Sequence, residues 1–200
     1  MPKPDLTVDL LRREAKDFAT EESKYPEPAL FGVTDGKAVG TYLEHKFQAY
    51  LERRYTYTVG NSASGIDFPG LEVDMKVTSI TQPQSSCPFK SARQKIFGLG
   101  YSLIVFVYTK TDDEQTKTGT LRIDHTVFVE KQRTGDYQMT LGVKAILDNK
   151  GNADDLVAFM HDKMLPIDDI EARNIATELL GGARTEQGYL TISNALQWRL

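Results

Sequence analysis

The segment Leu71-Glu72-Val73-Asp74-Met75-Lys76-Val77-Thr78 alternates without a break. Successive side chains of an extended chain point to opposite faces, so Leu71, Val73, Met75 and Val77 share one side. Glu72, Asp74, Lys76 and Thr78 share the other. The pattern predicts a strand whose apolar face rests on a core and whose second face gathers charge. A fold that contains it must supply a core for the apolar face.

The rest of the chain supplies the core. Leu10, Leu11, Ala15 and Phe18 predict a helix over residues 7 to 23, with Thr7 as its cap and Tyr25-Pro26-Glu27-Pro28 as its stop. Val39, Leu43, Phe47 and Leu51 recur every fourth residue and predict one apolar stripe on a helix from about Asp35 to Arg54. Tyr55 to Val59 is aromatic and β-branched and reads as a strand. Gly60 to Gly65 is a small-residue loop without the Gly-Lys-Ser/Thr ending that cradles nucleotide phosphates.

Beyond the alternating strand, Pro83 and Pro88 bound an irregular connection, and Phe89 to Phe97 reads as a short basic helix. Tyr101 to Tyr108 is a continuous apolar run, as expected of a central strand covered on both faces. Gly119 to Lys131 reads as its partner strand. Further helices are expected at about Ala153–Met164 with Asn152 as cap, at Asp168–Leu180 stopped by Gly181-Gly182, and at Thr191–Leu200. The expectation is a single α/β domain over residues 1–200. It has a central mixed sheet flanked by helices, a core at about 36–131 and a helical C-terminal section at about 152–200.

Composition narrows the function classes. The apolar share of 40% and the charged share of 26% are globular proportions, which argues against wholesale disorder. One cysteine, Cys87, rules out a disulfide framework within the chain, so a cytoplasmic setting is the default. The longest apolar run, Leu103 to Tyr108, falls far short of the roughly 20 residues of a membrane span. The net charge of −4 is unevenly spread. Between Asp74 and Asp112 there is no acid, while Lys76, Lys90, Arg93, Lys95 and Lys110 make a basic stretch. Phosphate contacts are local, screened within about 10 Å, so an acidic protein with a basic face can still bind nucleic acid.

The chemistry concentrates in Gly65-Ile66-Asp67-Phe68-Pro69-Gly70-Leu71-Glu72-Val73-Asp74-Met75-Lys76. Phe68-Pro69-Gly70 supplies a bend that can set Asp67 beside the strand bearing Asp74 and Lys76. Two carboxylates with waters and a phosphate oxygen form the oxygen-rich site that magnesium prefers, with a strand carbonyl such as that of Met75 as a further ligand. Such an ion neutralises phosphate charge, and an ammonium stabilises charge developing in phosphodiester hydrolysis. Charged strand faces are common and Asp-x-Lys alone is a weak signal. Asp is, however, disfavoured in strands, and here the acids sit against a tight turn and a basic stretch.

This segment resembles the PD-(D/E)xK nuclease superfamily, which includes most type II restriction endonucleases. Asp67 matches the first acid, Asp74 the second and Lys76 the lysine. Ile66 stands where the family's proline would be. The short gap between the acids is similar to that of MutH, the mismatch-repair nicking endonuclease. Glu44 matches a helix glutamate of those proteins, and the resemblance covers roughly residues 36 to 110. It implies a restriction-endonuclease-like fold, catalytic roles for Asp67, Asp74, Lys76 and Glu44, and Mg2+ held by Asp67 and Asp74. It also implies double-stranded DNA as substrate, 5′-phosphate and 3′-hydroxyl ends, and a homodimer. A nicking enzyme or junction resolvase on the same core, and a non-catalytic helix-turn-helix regulator, are the alternatives.

Other residues are weighed against plainer roles. Glu72 is a support or substitute ligand on the charged face. Lys90, Arg93, Gln94 and Lys95 either touch DNA or form a solvated helix face. Gln82, Gln84, Ser85 and Ser86 form a polar loop suited to groove contacts. A recognition helix carrying Asn194, Gln197 and Arg199 would need the acidic stretch at 168–171 near phosphate, which favours a structural or dimerisation role for the C-terminal helices. His45, His125 and His161 lack zinc-type spacing. Tyr42, Tyr50, Tyr55 and Tyr57 are read as packing residues.

Overall fold

The computed structural model describes residues 2–60, 65–81, 87–183 and 185–190. They gather into two compact units, residues 1–85 with 103–128 and residues 86–102 with 129–200.

The first unit is built on two helices and a sheet. Helix α1 (Val8–Glu22) starts at Thr7, whose hydroxyl accepts from the Leu10 N–H. Helix α2 (Gly36–Glu52) starts at Asp35, whose carboxylate accepts from the Lys37 N–H. The stripe Val39, Leu43, Phe47 and Leu51 is at most 1% exposed. Each such side chain contributes about 1.5–3 kcal/mol on burial. Strands β1 (Pro26–Glu27), β2 (Val73–Ser79), β3 (Ser102–Asp113) and β4 (Thr118–Val129) form one mixed sheet in the order β1-β4-β3-β2. Pro26 pairs with Thr120 and Glu27 with Gly119, antiparallel. β3 turns into β4 at residues 114–117, where Asp113 accepts from the Gln115 and Thr116 N–H groups. Phe106, Leu121, Val73 and Met75 from the sheet meet the α2 stripe and Phe18 of α1 in one core. The rings of Phe18, Phe47 and Phe106 lie 5.0–6.1 Å apart.

The second unit holds helices α3 (Ala92–Phe97), α4 (Tyr137–Asp148), α5 (Ala153–Asp162) and α6 (Asp169–Leu180). Ile96, Val143, Leu156, Met160, Ile175 and Ala176 make its core. Asn152 and Asp155 close a capping box on α5. α4 and α5 approach so closely that a Cβ at Gly142 would lie 2.1 Å from the Phe159 ring, so a larger residue there would have to displace that ring.

One expected strand is replaced by other structure, and one helix is additional to those expected. Tyr55 to Val59 is no strand of the sheet. Thr56 makes only an isolated bridge to Asp5, donating to the Pro4 carbonyl and accepting from the Leu6 N–H. Tyr55 and Tyr57 instead send their hydroxyls to Glu14 and to the Gln48 carbonyl, so tertiary partners override strand propensity. Helix α4 has no counterpart among the expected elements, and its pattern Met139, Thr140, Val143 puts a threonine on the buried face. That hydroxyl donates to the Asp136 carbonyl and accepts from the Gly188 N–H, so its burial costs little. Residues 191–200, where a further helix was expected, lie outside the described residues.

Candidate active site

The site is assembled by the turn before β2. Phe68 is fully buried, with ring centroids 6.3 Å from Phe47 and 5.7 Å from Tyr57. Its N–H donates to the Val73 carbonyl at 2.9 Å, and the Val73 N–H donates back at 3.3 Å. Between these residues Pro69–Leu71 makes a single 3-10 turn. Glu72 closes it in the left-handed region at φ 53, which lifts it off the alternation of the strand. Glu72 therefore belongs to the turn and not to the charged face where the alternation placed it.

The bend brings Asp67 alongside β2. The Met75 N–H donates to Asp67 Oδ2 at 2.8 Å. Asp74 is only 4% exposed, although it lies on the face of β2 opposite Val73 and Met75. Lys76 Nζ sits 2.7 Å from Asp74 Oδ2, as two residues on one strand face should. Burial pushes the Asp67 carboxyl up to about 7. A hydrogen bond shared with Asp74 and the charges of Asp74 and Glu44 push the same way, while the Met75 N–H opposes them. Glu44 projects from α2, half-buried, close enough for its charge to act on Asp67. The structure thus brings Asp67, Asp74, Lys76 and Glu44 into one neighbourhood, with Lys76 paired to Asp74.

Such a cluster is suited to a cation. Among the described residues no group of three or more His, Cys, Asp or Glu side chains is placed to hold a metal ion. An open donor set fits magnesium, which keeps several waters and takes one or two carboxylates plus substrate phosphate oxygens. Asp67 and Asp74 offer a pair of carboxylates of this kind. Two clefts of the first unit, one lined by Tyr25, Lys46 and Arg54 and one by Thr56, Thr58 and Leu71, include none of the four residues. A polymeric substrate needs an open surface rather than an enclosing pocket.

The remaining candidates are placed less distinctively. Lys90 is exposed, and its N–H donates to the Gln94 side chain at 2.7 Å. Lys95 is half-buried in the last turn of α3. Arg93 spans Glu171 at 3.1 Å and Glu178 at 2.5 Å. Gln82, Gln84, Ser85 and Ser86, and Asn194, Gln197 and Arg199, lie outside the described residues. Sequence reasoning missed two buried carboxylates. Glu14 accepts from Tyr50 and Tyr55, and Glu22 accepts from Tyr42 and Lys46. The tyrosines read as packing residues do pack, but each also satisfies a polar partner. No local pattern announces such pairs, since the partners are 20 to 41 residues apart.

Comparison with known proteins adds what geometry cannot. A family model described as "Type II restriction enzyme NspV" matches residues 5–200. A curated protein named Type II restriction enzyme NspV, from Nostoc sp. (strain ATCC 29411 / PCC 7524), is 64% identical over 195 residues. The match covers 98% of this chain and 88% of that one. No solved structure matches.

Proposed function

The chain belongs to the NspV family of type II restriction enzymes, and from that premise we propose that Asp67, Asp74, Lys76 and Glu44 form its catalytic centre. The activity is that of a site-specific endodeoxyribonuclease. The observation that carries the assignment is the convergence of Asp67 on the strand bearing Asp74 and Lys76, through the Met75 N–H.

The ion that this reading assigns to Asp67 and Asp74 is Mg2+, which when bound neutralises phosphate charge and makes water more acidic. Asp67 is held by one oxygen on the Met75 N–H and shares a hydrogen bond with Asp74, so a cation between the two carboxylates would take the place of that shared proton. Asp74 is oriented by Lys76, and the same ammonium offers positive charge where negative charge develops on the phosphate oxygens. Glu44 adds a third carboxylate at the edge, placed to orient water. The products expected of this chemistry are 5′-phosphate and 3′-hydroxyl ends. Residues 1–200 are taken to serve one nuclease activity, in the cytoplasm and as a homodimer on duplex DNA. Among the described residues no helix is long and apolar enough to cross a membrane. Family membership favours cleavage of linear duplex over the branched-DNA and non-catalytic readings.

The test is digestion of plasmid and genomic DNA with Mg2+ and then with EDTA, with Asp74→Ala in parallel. Discrete bands that need Mg2+ and vanish with Asp74→Ala are the expected result. Wild-type cleavage by Asp74→Ala would overturn the assignment.

A further inference from the structure

We propose that Gly60 is a positioning residue for Asp67, a role that rests on Asp67 being a metal-holding carboxylate of the nuclease. Gly60 donates its N–H to the Asp67 carbonyl at 2.9 Å. Asp67 is thereby held at both ends. Its carbonyl is fixed by Gly60, its carboxylate by the Met75 N–H at 2.8 Å, and the next residue, Phe68, by the two-bond bridge to Val73.

Space, not φ, makes residue 60 a glycine. Gly60 is not among the glycines with positive φ. A Cβ there would lie 2.0 Å from the Ile66 carbonyl oxygen and 2.9 Å from that of Asp67. Both obstacles are backbone atoms, so no rotamer change relieves them. Either the Gly60 backbone or the Ile66–Asp67 peptide must retreat, by a distance of the order of 1 Å, and a displacement of that size at a reacting group costs about 100-fold in rate. Gly70, in the adjoining turn, is the contrast. A Cβ there meets only Thr58 Oγ1 at 4.0 Å, an ordinary contact.

The experiment pairs Gly60→Ala with Gly70→Ala in the full-length protein. Gly60→Ala should lower kcat by about 100-fold with KM for duplex DNA within about twofold, the split expected of misplaced chemistry rather than lost binding. Calorimetry with Ca2+ and DNA should show weaker cation binding in Gly60→Ala and none of these changes in Gly70→Ala. A measurement on the wild-type protein stands apart from whether the variant folds. With 15N-glycine labelling, the Gly60 amide signal should move on adding Mg2+, and should not move in Asp67→Asn. A folded Gly60→Ala with wild-type kcat and cation affinity would overturn the proposal, as would a Gly60 amide indifferent to Mg2+ in the wild type. If Asp67→Ala itself cleaves normally, the assignment of Asp67 fails instead, and the two failures are distinct.

Discussion

The Met75 N–H donates to the Asp67 carboxylate at 2.8 Å. One hydrogen bond thus ties the acid on the turn to the strand that presents Asp74 on one side of Met75 and Lys76 on the other. The order acid, turn, acid, lysine becomes a cluster because β2 offers a backbone donor at the position between its two charged side chains.

Lys76→Ala should separate binding from chemistry. The ammonium sits 2.7 Å from Asp74, and on the proposed reading its loss removes a positive charge from the reacting phosphate. Single-turnover cleavage is expected to slow by about 10²–10³-fold, with duplex binding in Ca2+ retained. Parallel losses of binding and cleavage would mean that Lys76 merely attracts DNA.

Asp67 makes the metal-free protein sensitive to pH. Its folded-state value of about 7 lies above the ordinary 3.8, because burial comes first and the Asp74 carboxyl adds to it. Between those values the unfolded chain has already released the proton that the folded chain keeps. Stability from this group is therefore present at low pH, falls as pH rises from about 4 to about 7, and is then level. Asp67→Asn should stabilise the EDTA-treated protein at pH 8 by about 1–2 kcal/mol, after discounting for solvent screening, and far less at pH 4. Urea denaturation at the two pH values measures it, and equal effects at both would contradict the burial of that carboxyl.

Phe68→Ala should cost about 3–5 kcal/mol, since a fully buried ring leaves a cavity between Phe47 and Tyr57. Phe68 also fixes the turn, so cleavage per folded molecule should fall as well. Thermal unfolding and a cleavage assay at a temperature where the variant stays folded report the two effects.

The basic stretch can be tested by salt dependence. If Lys90 and Lys95 each meet a phosphate, replacing both by Ala should flatten the slope of log affinity against log salt by about 2. Arg93→Ala should leave that slope unchanged, because Glu171 and Glu178 already hold the guanidinium. Its cost should appear as a loss of stability of about 0–1 kcal/mol.

The legible part of the fold was the part written in periodicity. The α2 stripe, the strand at Val73–Ser79 and the caps Thr7 and Asn152 appear where the spacing places them. The strand expected at Tyr55–Val59 and the unforeseen α4 show the limit. In both, side chains that looked like packing or turn residues find polar partners in other segments of the chain.

For the site, the sequence by itself determined that Asp74 and Lys76 share a strand face and that a turn precedes them. Alternation is a property of neighbouring residues and needs no partner segment. Tertiary structure alone decided that Asp74 is buried, that Asp67 reaches the Met75 N–H and that Glu44 lends its charge. It alone also decided that Gly60 closes against the Asp67 backbone. Each of these depends on desolvation and on approach within a few ångströms between separate segments, which no pattern along a single segment encodes.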